Sequence, residues 1–413
     1  MINEVPKLRC SRGPRYPRAV IGAVLMSGVG CRFPYPADVP DDDDAATVHA
    51  DASADAARDG APPPTRWTLI AAHAARGAPA TAPVRWYQPD ANGRLVSAWT
   101  SNELDNATSA AVTDFDGDGD LDLAVGNFSL NSTSRNRVYR NDGGTFTTTW
   151  EAGETTPTFA VRWGDLDGDQ RPDLVTATTD GVFMYRNTGG RLGAASSLIT
   201  DGAYDAVLGD VDADGDLDIA VALPGAPASI YTNDGQARFQ RLAWNGPSDA
   251  VSLKFGDYDD DGDLDVAVGR AQGFTVYRAE GTTLVAAFYG TDLSPRFVSR
   301  TNVDWVDDDG DGDLDLLVGH CTTSLGSTCP GGPVQIYRNL GGGFAAGPTV
   351  TAAGRATSVA VADVDGDGLA DVAVGSEDAP VRLYRSTGAG LNLAWTAVEN
   401  ENTSAVTWLP VVP

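Results

Sequence analysis

Lysine is almost missing from this chain. Of 413 residues only Lys7 and Lys254 are lysines, and histidine occurs three times. Lysine and arginine together number 29 against 57 acidic residues, a formal net charge of −28. Nucleic acids and anionic membrane surfaces are bound through basic patches that displace counterions, so this balance argues against both as partners and leaves cations as the natural ones. Catalytic signatures are lacking as well: no nucleophile elbow, HExxH or phosphate-binding glycine loop occurs. Cysteine is sparse, with four in the chain. The remaining composition is that of a globular protein, 42% hydrophobic.

The only sustained run of small and apolar residues is Ala19 to Gly30, preceded by Lys7, Arg9, Arg12, Arg15 and Arg18. It is too short to span a bilayer and reads as a signal peptide over residues 1–30. Gly30-Cys31 resembles the lipobox of bacterial lipoproteins, in which the cysteine is lipidated, but Gly28 stands where that motif usually has leucine. Lipidation at Cys31 and conventional cleavage without lipid both remain open, and both place the mature protein outside the cytoplasm, anchored to the envelope or secreted. Residues 31–65 are rich in Asp, Ala and Pro with no apolar period, which predicts a disordered tether. Asp41 to Asp44 within it lack a following strand and read as a solvated charge run. Cys321 and Cys329, in "HCTTSLGSTCPGG", are expected to form a disulfide after export.

From residue 66 onward the chain repeats. "DFDGDGDLD" from Asp114 recurs as "DLDGDQRPD" from Asp165, "DVDADGDLD" from Asp210, "DYDDDGDLD" from Asp257, "DDDGDGDLD" from Asp307 and "DVDGDGLAD" from Asp363, at spacings of 51, 45, 47, 50 and 56 residues. Each copy sits among four short apolar runs separated by turn residues, the content of a propeller blade. A tyrosine of the third run counts the repeats: Tyr139, Tyr185, Tyr231, Tyr277, Tyr337 and Tyr384, with Tyr87 making seven. The seventh repeat has its last three runs at the N-terminal side, near residues 68–101, and its first run at 402–408, with Leu409 where an acidic loop would begin. We therefore expect an all-β fold over 66–413, a seven-bladed β-propeller whose terminal strands share one blade. A solenoid is the alternative, but it leaves that complementarity unexplained.

In every acidic loop Asp recurs at alternate positions. Position one is Asp114, Asp165, Asp210, Asp257, Asp307 and Asp363; position three is Asp116, Asp167, Asp212, Asp259, Asp309 and Asp365. Position five is Asp118, Asp169, Asp214, Asp261, Asp311 and Asp367, and position nine is Asp122, Asp173, Asp218, Asp265, Asp315 and Asp371. Oxygen ligands spaced this way in a tight loop can converge on one hard cation such as Ca²⁺. Glycine at position six (Gly119, Gly215, Gly262, Gly312, Gly368) permits the bend. The EF-hand is excluded, because position twelve is apolar (Val125) and a strand follows in place of a helix. Merely acidic turns are the competing reading. Two like charges about 4 Å apart repel by roughly 1 kcal/mol in water and about 4 kcal/mol at a near-surface dielectric, so crowded carboxylates call for a cation. The second loop is the weakest candidate, with Gln170 in place of glycine and Arg171 at position seven. Up to six ions are expected.

These six loops between propeller strands resemble those of the FG-GAP/VCBS repeat family, which includes the calcium-loop blades of integrin α-subunits. The resemblance covers about residues 66–413. It implies that each loop joins the first and second strands of a blade, that the ions are structural, and that position seven (Asp120, Arg171, Asp216, Asp263, Asp313, Leu369) contributes its backbone carbonyl. For biological role the resemblance is less specific, since such relatives are adhesins, receptor ectodomains, assembly factors and accessory domains of enzymes. With no catalytic constellation visible, our first reading is a non-enzymatic binding or adhesion module, with a protein or glycan ligand on the face away from the loops. The connections at 126–137 and 319–332 are the longest there. The alternative is a polysaccharide-active lyase or hydrolase on a calcium propeller. For that the chain offers little: His49 falls in the tether, His73 in a strand of the seventh blade, and only His320 is placed for chemistry.

Overall fold

A computed structural model describes residues 67–410 apart from 74–81, 91–92, 105, 129–133, 272, 291–299, 322–333, 351–354, 378, 389 and 400. The segments expected as signal peptide and tether, Cys31 and Cys329 lie outside the described residues.

Seven antiparallel four-stranded sheets form, and no helix occurs among the described residues. In the first blade the strands are Ala107–Thr113, Asp122–Asn127, Arg137–Asn141 and Phe146–Glu151, hydrogen-bonded in that order. The first strand of each blade touches the first strand of the next, and the last of these contacts returns to Ala107–Thr113, so the sheets close into a ring.

Closure uses both ends of the chain. Thr403–Pro410 is the first strand of the blade completed by Trp67–His73, Arg85–Pro89 and Leu95–Thr100. Its antiparallel register pairs Thr68 with Leu409, Ile70 with Thr407 and Ala72 with Ala405. The seven-bladed fold with a shared terminal blade is therefore the one expected from the split repeat.

The second strands explain their own composition. Residues of Asp122–Asn127, Asp173–Thr178 and Asp218–Ala222 are buried throughout, because both faces of each sheet meet a neighbouring blade. A strand buried on two sides must be apolar without alternation. The core is accordingly divided into seven clusters, one per blade interface. Ile70, Trp86, Leu123, Tyr139 and Phe146 join the closing blade to the first, and Phe115, Trp163, Leu174 and Tyr185 join the first to the second. Phe115 stacks on Trp163 with ring centroids 5.8 Å apart, and Tyr258 on Trp305 at 6.0 Å. Approach is so close that a Cβ on Gly269 would lie 1.9 Å from the carbonyl oxygen of Thr301 in the next blade.

A polar latch lies beside the closing strands. His73 is buried, with Nδ1 3.1 Å from Thr403 Oγ1 and Nε2 3.3 Å from Glu401 Oε2. Arg85 donates from Nε and Nη2 to the two Glu401 oxygens, each at 2.7 Å.

Candidate metal-binding loops

All six acidic loops join the first strand of a blade to its second. After the first blade, the flanking pairs are Thr158–Gly164 and Asp173–Thr178, Asp205–Gly209 and Asp218–Ala222, Ala250–Gly256 and Asp265–Arg270, Arg300–Val306 and Asp315–Cys321, and Arg355–Ala362 and Asp371–Glu377. The loops therefore share one face of the propeller.

Position one organises the turn. Asp114 Oδ1 accepts the N–H groups of Gly117 at 2.7 Å and Asp118 at 3.1 Å, and Oδ2 accepts that of Gly119 at 2.9 Å. Asp165 and Asp363 repeat all three bonds, and Asp210, Asp257 and Asp307 repeat two. At position five, Asp118, Asp169, Asp214, Asp261, Asp311 and Asp367 each accept the N–H of position seven, at 2.9 to 3.1 Å.

This wrapping needs positive φ at two places, and spacing pointed to only one. Position six has φ of 85 to 97° where it is glycine, and Gln170 adopts 64° there. Position four is also left-handed, at Gly117, Gly168, Gly310 and Gly366 but also at Ala213 (59°) and Asp260 (62°). Residues with a Cβ hold that conformation only when the surroundings over-determine it.

Position nine is a staple. Asp122 Oδ2 accepts the N–H of Phe115 at 3.0 Å, and its Oδ1 accepts that of Asn141, at the end of the third strand, at 2.8 Å. Asp173, Asp218, Asp265, Asp315 and Asp371 make the same pair of bonds, at 2.7 to 3.4 Å. All six carboxylates are buried, and burial pushes each up to about 7 against the opposing pull of the two N–H donors.

The carboxylates converge. One oxygen each of Asp114, Asp116 and Asp122 lie within 4.8 Å of one another, as do those of Asp165, Asp167 and Asp173, of Asp210, Asp212 and Asp218, of Asp257, Asp259 and Asp265, and of Asp307, Asp309 and Asp311. In the sixth loop Asp365 and Asp371 stand at positions three and nine, and after burial the charge of Asp365 helps push Asp371 upward. At position three the Oδ1 atoms of Asp116, Asp167 and Asp309 are buried without a hydrogen-bond partner. Burial, followed by the charge of Asp118, pushes Asp116 above the usual carboxylate range. Orphaned anionic oxygens at the centre of an all-carboxylate cluster are what a hard cation fits. Position seven turns its side chain elsewhere in two loops: Asp120 Oδ2 accepts the N–H of Gly143 at 2.7 Å and Asp263 Oδ2 that of Gly281 at 3.0 Å.

A fourth participant comes from the third strand. Asn187 Nδ2 donates to Pro172 O in its own loop, at 3.1 Å, and to Phe115 O in the preceding blade's loop, at 2.6 Å. Asn233 and Asn339 repeat both bonds, and Ser386 donates to Asp308 O. Each residue stands two places after the repeat tyrosine, as in Tyr185-Arg186-Asn187, so the signal was present as a recurring "YxN".

Away from the loops, Cys321 ends its strand with its backbone opposite Arg300, and His320 is opposite Thr301. Cys329, the disulfide it was expected to form, and most of the two long connections lie outside the described residues. At strand ends on the face opposite the loops, a cavity of about 220 Å³ between the first two blades is lined by Asn136, Glu154, Thr156, Thr178, Phe183 and Tyr185. Glu154 Oε1 is buried there without a partner.

The FG-GAP-like repeat model matches residues 69–125, 127–176, 165–221, 210–268 and 307–374. No curated protein matches the chain in sequence. Among solved structures, a protein from Lactobacillus plantarum is 12% identical with a TM-score of 0.61, over 84% of this chain and 99% of that one. An Agrocybe aegerita lectin, described for specific recognition of non-reducing terminal N-acetylglucosamine, is 17% identical with a TM-score of 0.54, over 84% and 95%. A 6-phosphogluconolactonase candidate from Bacteroides fragilis is 12% identical with a TM-score of 0.60, over 83% and 98%. At such identities these likenesses concern the fold.

Proposed function

Because the chain belongs to the FG-GAP-like repeat family, whose model covers more than half of it, we propose that it is a calcium-stabilised propeller acting outside the cytoplasm as a non-enzymatic binding or adhesion module. The observation that carries the calcium reading is the set of orphaned position-three oxygens, Asp116, Asp167 and Asp309 Oδ1, inside clusters of carboxylates less than 4.8 Å apart. Positions one, three, five and nine would hold the ion. Bound Ca²⁺ supplies the positive charge that offsets their mutual repulsion and fixes the turn. The protein's own part is to pre-shape that turn: position one wraps the backbone, and position nine ties the loop to the third strand.

The ligand surface in this reading is the opposite face, where the loops leave strand ends open. The cavity beside Glu154, with its unpartnered carboxylate oxygen and the rings of Phe183 and Tyr185, supports a protein or glycan partner with hydroxyl or amide donors. Export through residues 1–30 would put the module in millimolar calcium, with Cys31 as a lipid anchor or the chain free. No helix among the described residues is long and apolar enough to cross a membrane.

Three measurements test this. Calcium titration of the full chain should show saturable binding and a raised melting temperature, and melting curves in EDTA and in millimolar calcium that superimpose would overturn the metal reading. Pull-down from envelope extract together with a glycan array should yield a calcium-dependent ligand. Turnover on a polysaccharide panel, read as unsaturated products or reducing ends, would overturn the non-enzymatic reading.

A further inference from the structure

Guanidinium groups reach some acidic loops and not others. In the second loop Arg186, from the third strand, pairs through Nε with Asp167 Oδ2 at position three. Arg171 Nη2 lies 2.5 Å from Asp169 Oδ2 at position five. In the sixth loop Arg385 Nη1 lies 2.7 Å from Asp365 Oδ2, again at position three. The equivalent arginines of the first and fourth blades form their ion pairs elsewhere, Arg140 with Asp142 and Arg278 with Glu280, and act on Asp116 and Asp259 only as charges at longer range. In the third blade Thr232 stands at this place in the strand. In the fifth, Arg338 donates from Nε and Nη2 to Asp308 Oδ2, at 3.0 and 2.6 Å, and approaches Asp309 only to 3.5 Å.

We propose that the third-strand arginines, joined by Arg171, are built-in cations that set divalent-ion occupancy loop by loop. The first, third and fourth loops fill first. The sixth is weakened by Arg385, and the second holds its shape on Arg186 and Arg171 at calcium concentrations that fill the others. This rests on the calcium reading above and adds to it a rule for which sites are used.

The argument starts from what the second loop retains. It has carboxylates at positions one, three, five and nine, the same backbone wrapping by Asp165, and the same positive φ at positions four and six. Ligand loss therefore does not set it apart; the occupant of its lone pairs does. A guanidinium and a divalent ion compete for the same oxygens, and a tethered group competes at an effective concentration on the order of millimolar or more. Neutralisation also differs. The third loop holds five aspartates with no arginine on them, whereas the second sets two guanidinium groups against four. The Asp167 side chain is only 2% exposed, and its Oδ1 is left orphaned even with Arg186 on Oδ2. A cation site persists beneath the arginine.

Removing the competitors should uncover that site. Calcium bound to the full chain is counted by equilibrium dialysis and native mass spectrometry, with calcium alone as the probe. The Arg171→Gln/Arg186→Gln variant should bind one more ion than the wild type at the calcium concentration that just saturates the wild type. Arg385→Gln should tighten one site by about three- to tenfold. As a test in the opposite sense that removes no ion pair, Thr232→Arg should weaken one of the tightest sites by a similar factor. Circular dichroism checks that each variant is folded, and Arg385→Gln and Thr232→Arg decide the matter if the double variant is not. A wild type that binds ions at all six loops with one affinity, or variants that bind as the wild type does, would overturn the proposal and leave the calcium reading standing. A wild type that binds no calcium would overturn both.

Discussion

Asp116 and Asp167 occupy the same place in their loops, yet Asp167 is held by Arg186 while Arg140, the matching arginine beside Asp116, is paired with Asp142. The same substitution should therefore act with opposite weight in two solvents. In millimolar calcium, Asp116→Ala/Asp118→Ala should destabilise more than Asp167→Ala/Asp169→Ala, by about 0.4 to 1.4 kcal/mol if the site's affinity is that of extracellular modules, about 0.1 to 1 mM. In EDTA the order should reverse, because the first pair then only relieves repulsion while the second strips Arg186 and Arg171 of partners. Denaturant melts of both variants in both buffers check this, and an order that does not change would contradict it. At this scale, spacing alone announced positions one, three, five and nine. It did not announce Arg186 or Asn187, whose partners lie 19 residues away at Asp167 and 72 away at Phe115. A loop motif read along the chain carries no record of what the fold brings beside it.

At the scale of the element, the third strand adds a polar tie between neighbouring acidic loops to the first-strand and core contacts that join blades. Asn187 is fully buried and spans two loops through Phe115 O and Pro172 O. Replacing it by alanine orphans the buried carbonyl oxygen of Phe115 and the half-buried one of Pro172, so Asn187→Ala should cost about 1 to 3 kcal/mol in urea unfolding. It should also raise hydrogen exchange at Phe115 and neighbouring amides of the preceding loop. Exchange confined to the second blade would show that the bond across the interface contributes nothing. Strand number and order were legible because four apolar runs per repeat leave few other arrangements. The division of the core into interface clusters was not, since apolar residues such as Leu123 and Val125 look alike in sequence whichever neighbour they meet.

For the whole molecule, five filled calcium sites at about 1 mM free ion would add about 2 to 7 kcal/mol, a large share of the roughly 5 to 15 kcal/mol that holds an ordinary domain. Differential scanning calorimetry in EDTA should therefore show a substantially lower melting temperature than in calcium, together with faster proteolysis at the acidic loops. Acid should also act through the latch. Burial pushes the His73 imidazole down to about 4, ahead of the opposing pull of Glu401. The unfolded chain thus takes up that proton first, and stability is lost as pH falls from about 6.5 toward 4, by about 3 kcal/mol at the lower end. Glu401, held below its ordinary range by the hydrogen bonds from Arg85, contributes stability above that range and loses it as pH falls further. His73→Gln should show a smaller drop in melting temperature between pH 7 and 4.5 than the wild type, and equal drops would remove His73 from the acid response.

The pairing of Thr68 with Leu409 spans 341 residues, and that distance bears on how the molecule is made. Trp67–His73 leaves the ribosome well before its partner, Thr403–Pro410. Until Thr403–Pro410 is made, Trp67–His73 keeps an unpaired strand edge, a template for aggregation and a mark by which chaperones and proteases can recognise the chain. A chain that stops short of residue 403 therefore cannot complete its seventh blade, and its open edge sets it apart from the closed ring.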